Sequence, residues 1–173
     1  MKKGIFVTVL LCMMNFSVMA ESMVGVHESV TASDLFKNLA PDKMGKTRNF
    51  IPTEVLVEKP LKYSFMILFE TNSATLTAKA LRDLDEVGRF MKMDKVTDLK
   101  FEIEGHTDPR GGFVLNRDLS LARAEAVINY LVLNHNVDRG RLVAVGKGFS
   151  EMINRENTIA PENRRVTIVR TVE

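Results

Sequence analysis

Residues 105–123 read Gly-His-Thr-Asp-Pro-Arg-Gly-Gly-Phe-Val-Leu-Asn-Arg-Asp-Leu-Ser-Leu-Ala-Arg. The stretch holds a carboxylate, Asp108, and a guanidinium, Arg123, on the two sides of a loop containing Pro109 and the pair Gly111-Gly112. Such glycines permit a tight turn or the close approach of a ligand to the backbone. Before the loop, Leu99 to Ile103 alternates apolar and charged residues, as a half-buried strand does. After it, Leu121, Ala124, Ile128 and Leu131 recur at helical spacing. This pattern predicts Asp108 at a strand end and Arg123 in the first turn of a helix. A carboxylate and a guanidinium so placed can clamp a small group that carries an ammonium and a carboxylate. They can equally pair with each other as a structural ion pair, and the spacing alone leaves both readings open.

Other chemistry finds less support. The chain has three histidines, and the spacing of His106 and His135 around Asp108 matches no metal-ligand pattern. His106 reads as a strand-end histidine hydrogen-bonded nearby. Glu102 and Glu104 share a strand face and are expected to be solvated. No nucleophile sits beside a base, which makes a hydrolase the weakest reading. No enzyme activity and no cofactor are expected. Leu84, Met91 and Met93 read as core packing. Arg164 and Arg165 must point to opposite sides of a strand, so at most one can face a pocket.

The elements that position these residues occupy one globular domain's length. The 173 residues are 45% hydrophobic and 27% charged, enough for one core. Lys2 and Lys3, the apolar run Ile5 to Met14 and the Val18-Met19-Ala20 sequence form a signal-peptide pattern over 1–20, with cleavage expected before Glu21. The apolar run is shorter than the roughly 20 residues of a spanning helix. Cys12 lies within this run behind Leu11, where a lipoprotein signal wants a small residue. Cleavage leaves no cysteine and removes two of the 24 basic residues; 24 − 2 = 22 then balances 22 acidic ones. A neutral exported chain gives no reason to expect a nucleic-acid partner.

Residues 21–60 read as an N-terminal extension or linker. Within it Ser33 can cap a short helix through Leu35, Phe36 and Leu39, and Ile51 to Val57 can form an edge strand between Pro52 and Pro60. The regular pattern starts at Leu61 and defines a domain over 61–173. Tyr63 to Phe69 is an apolar run expected as a central strand buried on both faces. Thr77 is positioned to cap a helix whose Leu81, Leu84, Val87 and Met91 share a face. Strands follow at Leu99 to Glu104, Leu142 to Val145 and Arg165 to Val172, with the second helix ending near Asn134. The order β-α-β-α-β-β predicts an α/β fold, an α+β sandwich with two helices packed on a mixed sheet. Ligands on such sheets sit beside the loops at one end of the strands.

Three ordered blocks of this sequence resemble the OmpA C-terminal-like peptidoglycan-binding domains. Ile67 to Leu76 resembles the family's first strand and turn. Gly105-His106-Thr107-Asp108, with Gly111, Asn116, Leu119-Ser120 and Arg123-Ala124, resembles its central signature. Asn163-Arg164-Arg165-Val166 resembles its closing one. The resemblance runs from about Lys62 to the C-terminus. It implies non-covalent binding of the peptidoglycan stem peptide in the periplasm, with Asp108 and Arg123 holding its diaminopimelate. Thr107, Gly111 and Asn116 then belong to the same site, and Asn163 and Arg165 are secondary candidates. A domain of this kind tethers an outer-membrane or other envelope component to the wall. The alternative is a subunit of an envelope complex whose contacts are protein–protein, through residues 21–60. Those residues are too few for an eight-stranded membrane barrel, whose strands take about 9–11 residues each.

Overall fold

The computed structural model describes residues 26–40, 61–70 and 73–171. The signal-peptide pattern and the Ile51–Val57 strand lie outside the described residues. The elements run β1 (Val26–His27), α1 (Ala32–Leu39), β2 (Lys62–Phe65), α2 (Ala78–Met91), β3 (Phe101–His106), α3 (Phe113–His135), β4 (Leu142–Gly148) and β5 (Val166–Arg170). Short 3-10 turns precede β4 and β5, at Arg139–Arg141 and Pro161–Asn163.

The sheet is mixed, in the order β1-β2-β5-β3-β4. β5 runs antiparallel to both its neighbours, β2 and β3, while β3 and β4 are parallel. Alternation along the strands sends Phe101, Ile103, Val166 and Ile168 into one apolar cluster with Leu84, Val87 and Phe90 of α2 and Val127, Ile128 and Leu131 of α3. α2 packs between α1 and α3. Among the described residues no helix is long and apolar enough to cross a membrane.

The helix read at Thr77 forms as expected, with the Thr77 hydroxyl accepting from the Ala80 N–H. The helix read at Ser33 forms too, but its cap is Thr31, whose hydroxyl accepts from the Asp34 N–H. Leu35 and Leu39 of this α1 are fully buried in the common core, so three helices pack on the sheet where two were expected. β1, two residues paired parallel with β2, is too short to show alternation in sequence. The expected strand Tyr63–Phe69 stops pairing at Phe65. Leu68 is half-exposed, and Phe69 forms a bridge back to Leu76. The second half of this run therefore leaves the sheet and becomes a wall of the site.

Candidate functional site

Asp108 is positioned by the sheet. The His106 N–H donates to the Arg165 carbonyl at 3.0 Å and the Thr107 N–H to the Gly148 carbonyl at 2.9 Å. These bonds fix the chain at the end of β3, between β5 and β4, one residue before the aspartate. The loop beyond it turns through Gly111 and Gly112, at φ 96° and 84°, a region that side chains disfavour. Asn116, buried in the first turn of α3, donates from Nδ2 to the Arg110 and Gly112 carbonyls at 2.7 and 2.9 Å. Ser120, a turn further on, accepts from the Gly148 N–H at 2.9 Å. The signature residues Asn116 and Ser120 thus hold loop, helix and strand together.

The Asp108 carboxylate is almost fully buried. Its Oδ1 accepts from the Arg110 backbone N–H and Nε at 3.2 and 3.0 Å, and its Oδ2 from Arg110 Nη2 at 2.7 Å and Arg164 Nη1 at 3.1 Å. The Arg110 hydrogen bonds hold this carboxyl below its ordinary range; burial opposes them and Arg164 adds to them. Asp108 and Arg123 do not pair: among the described residues the ion-pair partners of Asp108 are Arg110 and Arg164.

Arg123 lies ten residues into α3, which begins at Phe113, and not in the first turn as expected. The sequence hides this because Phe113, Val114 and Leu115 are exposed and do not join the apolar stripe. Its guanidinium donates through Nε to the Ser73 carbonyl at 3.0 Å and stacks over Phe69 at 4.9 Å. These contacts orient the fork. Burial lowers its pKa, as does Arg164, while Asp108 works the other way. An anion would relieve this desolvated charge.

Phe69, Glu70, Thr107, Asp108, Arg110, Asn116, Leu119, Arg123 and Arg164 enclose a cavity of about 520 Å³. Four of the expected residues, Thr107, Asp108, Asn116 and Arg123, line it. Gly111 shapes the loop. Asn163 and Arg165 lie elsewhere. Asn163 is fully buried and organises the loop before β5: its Oδ1 accepts from the Ile153 and Asn154 N–H groups, and its Nδ2 donates to the Asn154 and Thr158 carbonyls. Arg165 faces the opposite side of the sheet, where its Nη2 donates to the Glu151 carbonyl at 2.8 Å. Arg164 reaches the pocket instead. The signal was present: Arg164 has the parity of Val166 and Ile168, the core-facing residues of β5. Arg110 gave no periodic signal, since it stands in the loop.

The opposite side of the sheet corrects another expectation. Glu104 is not solvated: it is buried against Lys62 at 3.4 Å and Lys147 at 3.2 Å, with His106 Nε2 at 3.7 Å. Burial pushes its carboxyl up, but the His106 ring and the two ammonium groups outweigh it and hold the pKa at about 2. At that distance the His106 ring has no hydrogen-bond partner among the described residues, contrary to expectation, and burial lowers its pKa.

A buried carboxylate and three arginines line one cavity at the end of a strand, on a helix-backed mixed sheet. The sequence pattern of the OmpA family matches residues 68–165, and the chain belongs to that family. It is 33% identical over 108 residues to outer membrane protein Omp38 of Acinetobacter baumannii, a match covering 61% of this chain and 30% of that protein. It is 31% identical over 112 residues to the peptidoglycan-associated lipoprotein of Buchnera aphidicola, covering 63% of this chain and 62% of the relative. The chain thus matches under a third of Omp38. Its fold is that of the OmpA-like domain of FopA1 from Francisella tularensis, with a TM-score of 0.54 at 18% identity over 84% of this chain and 88% of that one. The peptidoglycan-associated lipoprotein of Burkholderia pseudomallei superposes with a TM-score of 0.53 at 25% identity, over 62% of this chain and 89% of that one.

Proposed function

We propose that the chain is a non-covalent anchor to the cell wall that binds the diaminopimelate of the peptidoglycan stem peptide in the Asp108 pocket. The observation that carries this is the shared cavity: a buried carboxylate and an oriented, desolvated guanidinium line one volume of about 520 Å³. Diaminopimelate offers an ammonium and a carboxylate on its side-chain end. Asp108 takes the ammonium. Arg123 and Arg164 take the carboxylate, in the planar geometry that suits a guanidinium better than an ammonium. All four acceptor positions of Asp108 are filled by arginine N–H groups, so the ligand's ammonium must exchange with one of them. The Arg110 side chain is 67% exposed and is the one free to leave.

Relatives named as peptidoglycan-associated lipoproteins support the choice of polymer. As an OmpA-family domain the chain binds the wall and does not cut it. The signal-peptide pattern supports export to the periplasm with cleavage before Glu21, and on this reading the chain tethers an envelope component there. Charge-assisted contacts contribute about 1.5–3 kcal/mol each. After the cost of association, a few of them support roughly millimolar to micromolar affinity for one stem, which suits a polymer with many copies of the ligand.

Co-sedimentation with purified sacculi, with free meso-diaminopimelate or a blocked lysine as competitor, tests this. Diaminopimelate should release the protein, and lysine blocked at its α-amino and α-carboxyl groups, whose free end is an ammonium alone, should not. Failure to sediment, or equal competition by the blocked lysine, would overturn the reading.

A further inference from the structure

β4 ends the sheet. It pairs with β3 and, among the described residues, with nothing on its outer side. The strand Leu-Val-Ala-Val-Gly-Lys-Gly has no proline and one charge. That charge does not guard the edge, because Lys147 is drawn to Glu104 at 3.2 Å and Glu151 at 2.8 Å. An edge of this composition is a template for another strand.

The helix beside it is open as well. A groove of about 440 Å³ runs between α3 and β4, lined by Phe113, Val114, Arg117, Asp118, Leu121 and residues 144–146. Phe113 and Val114 are 55% and 71% exposed, a contiguous apolar patch next to the free edge. α3 closes tightly on the strand here: a Cβ on Gly146 would lie 2.6 Å from the Arg117 carbonyl oxygen. That approach brings Arg117 and Asp118 to the rim. Among the described residues neither side chain has a hydrogen bond or ion pair.

We propose that this edge joins two copies of the chain. β4 pairs antiparallel with β4 of a second copy about a two-fold axis near Val145, and Arg117 of each copy meets Asp118 of the other. A two-fold contact requires a surface complementary to itself, and this one carries one unpaired charge of each sign on adjacent residues. Antiparallel pairing centred on Val145 sets Ala144 opposite Gly146. Those small residues lie on the helix side, so Phe113 and Leu121 of both copies have room to close over the seam. The strand edge supplies backbone bonds, the groove supplies apolar area, and the two charges set orientation. A single wall contact is weak, so a joined pair of pockets raises the hold on a repeating polymer without a new contact to it.

Sedimentation of the chain as its host processes it, from micromolar to millimolar concentration, tests the proposal. Wild type should show a concentration-dependent dimer. Arg117→Asp and Asp118→Arg each create like-charge pairs across the axis and should weaken dimerisation about tenfold to hundredfold. The double variant R117D/D118R is again self-complementary and should recover most of it. Melting curves establish that all three variants fold, since both side chains are exposed and unpartnered. A monomer at every concentration overturns the proposal, including a monomer whose β4 amides resist hydrogen exchange because another part of the chain covers the edge. A dimer indifferent to the charge variants, or a double variant no better than the singles, overturns it too.

Discussion

Replacing Asp108 by asparagine keeps the size of the side chain and removes the charge. The consequences for fold and for binding differ in size. In the folded protein, Oδ2 accepts from Arg110 Nη2 and Arg164 Nη1, and Oδ1 from the Arg110 backbone and Nε. An asparagine satisfies one of these sides with its carbonyl oxygen and sets an amide N–H against donors on the other. The partners are 67% and 39% exposed, so water replaces what they lose, and pairs of this kind contribute only about 0–1 kcal/mol. The melting temperature should therefore fall by a few degrees at most. Binding fares worse, because the ligand's ammonium loses its counter-charge inside the cavity. A charge-assisted contact of about 1.5–3 kcal/mol corresponds to a roughly 10- to 150-fold weaker dissociation constant. Sacculus co-sedimentation over a protein concentration series, with melting curves on the same samples, measures both. If the folded Asp108→Asn variant binds as wild type does, the ligand is held elsewhere. A large fall in melting temperature with undiminished binding by the folded fraction would make Asp108 a structural group.

Three further outcomes follow from the same geometry. Arg123→Lys should weaken sacculus binding at least tenfold with little change in melting, since a point charge keeps neither the Ser73 bond nor the planar grip; unchanged binding would remove Arg123 from the site. Glu104, with a folded pKa of about 2 against 4.5, contributes stability that is fully present above pH 4.5 and is lost as pH falls towards 2. That contribution is about 3 kcal/mol, so Glu104→Gln should lower stability at pH 7 by that order and flatten the acid limb of a pH–stability curve, and a parallel curve would show that the lysines do not act through this group. Leu35→Ala should cost about 2–5 kcal/mol in a urea titration, because the side chain is fully buried; a neutral result would mean that α1 rides on the domain without stabilising it.

The sequence displays what is periodic and conceals what is not. α2 was legible from its apolar stripe and its threonine cap, and β5 from the alternation of Val166 and Ile168. The place of Asp108 followed from a strand running into a loop. The start of α3 was not legible, because its first turn exposes three apolar residues in a row and matches neither a core-facing stripe nor a solvated face. Glu104 was misplaced for a related reason: alternation assigns a face, but only the fold shows that Lys62, Lys147 and His106 converge on that face. Family resemblance points to Arg165, although strand parity favours Arg164. Arg110, the nearest partner of Asp108, sits in a loop, where pattern carries no information and only the turn geometry decides what a side chain reaches.

β5, the last of the described strands, lies between β2 and β3. A ribosome delivers it after the other described elements. Until it arrives the two halves of the sheet have no strand to bridge them, Arg164 has not entered the pocket, and the His106 N–H lacks the Arg165 carbonyl that fixes the approach to Asp108. Pairings so distant in sequence also form slowly. Without residues 164–170 the pocket therefore loses the Arg164 contact to Asp108 and the sheet loses its central bridge at the same time.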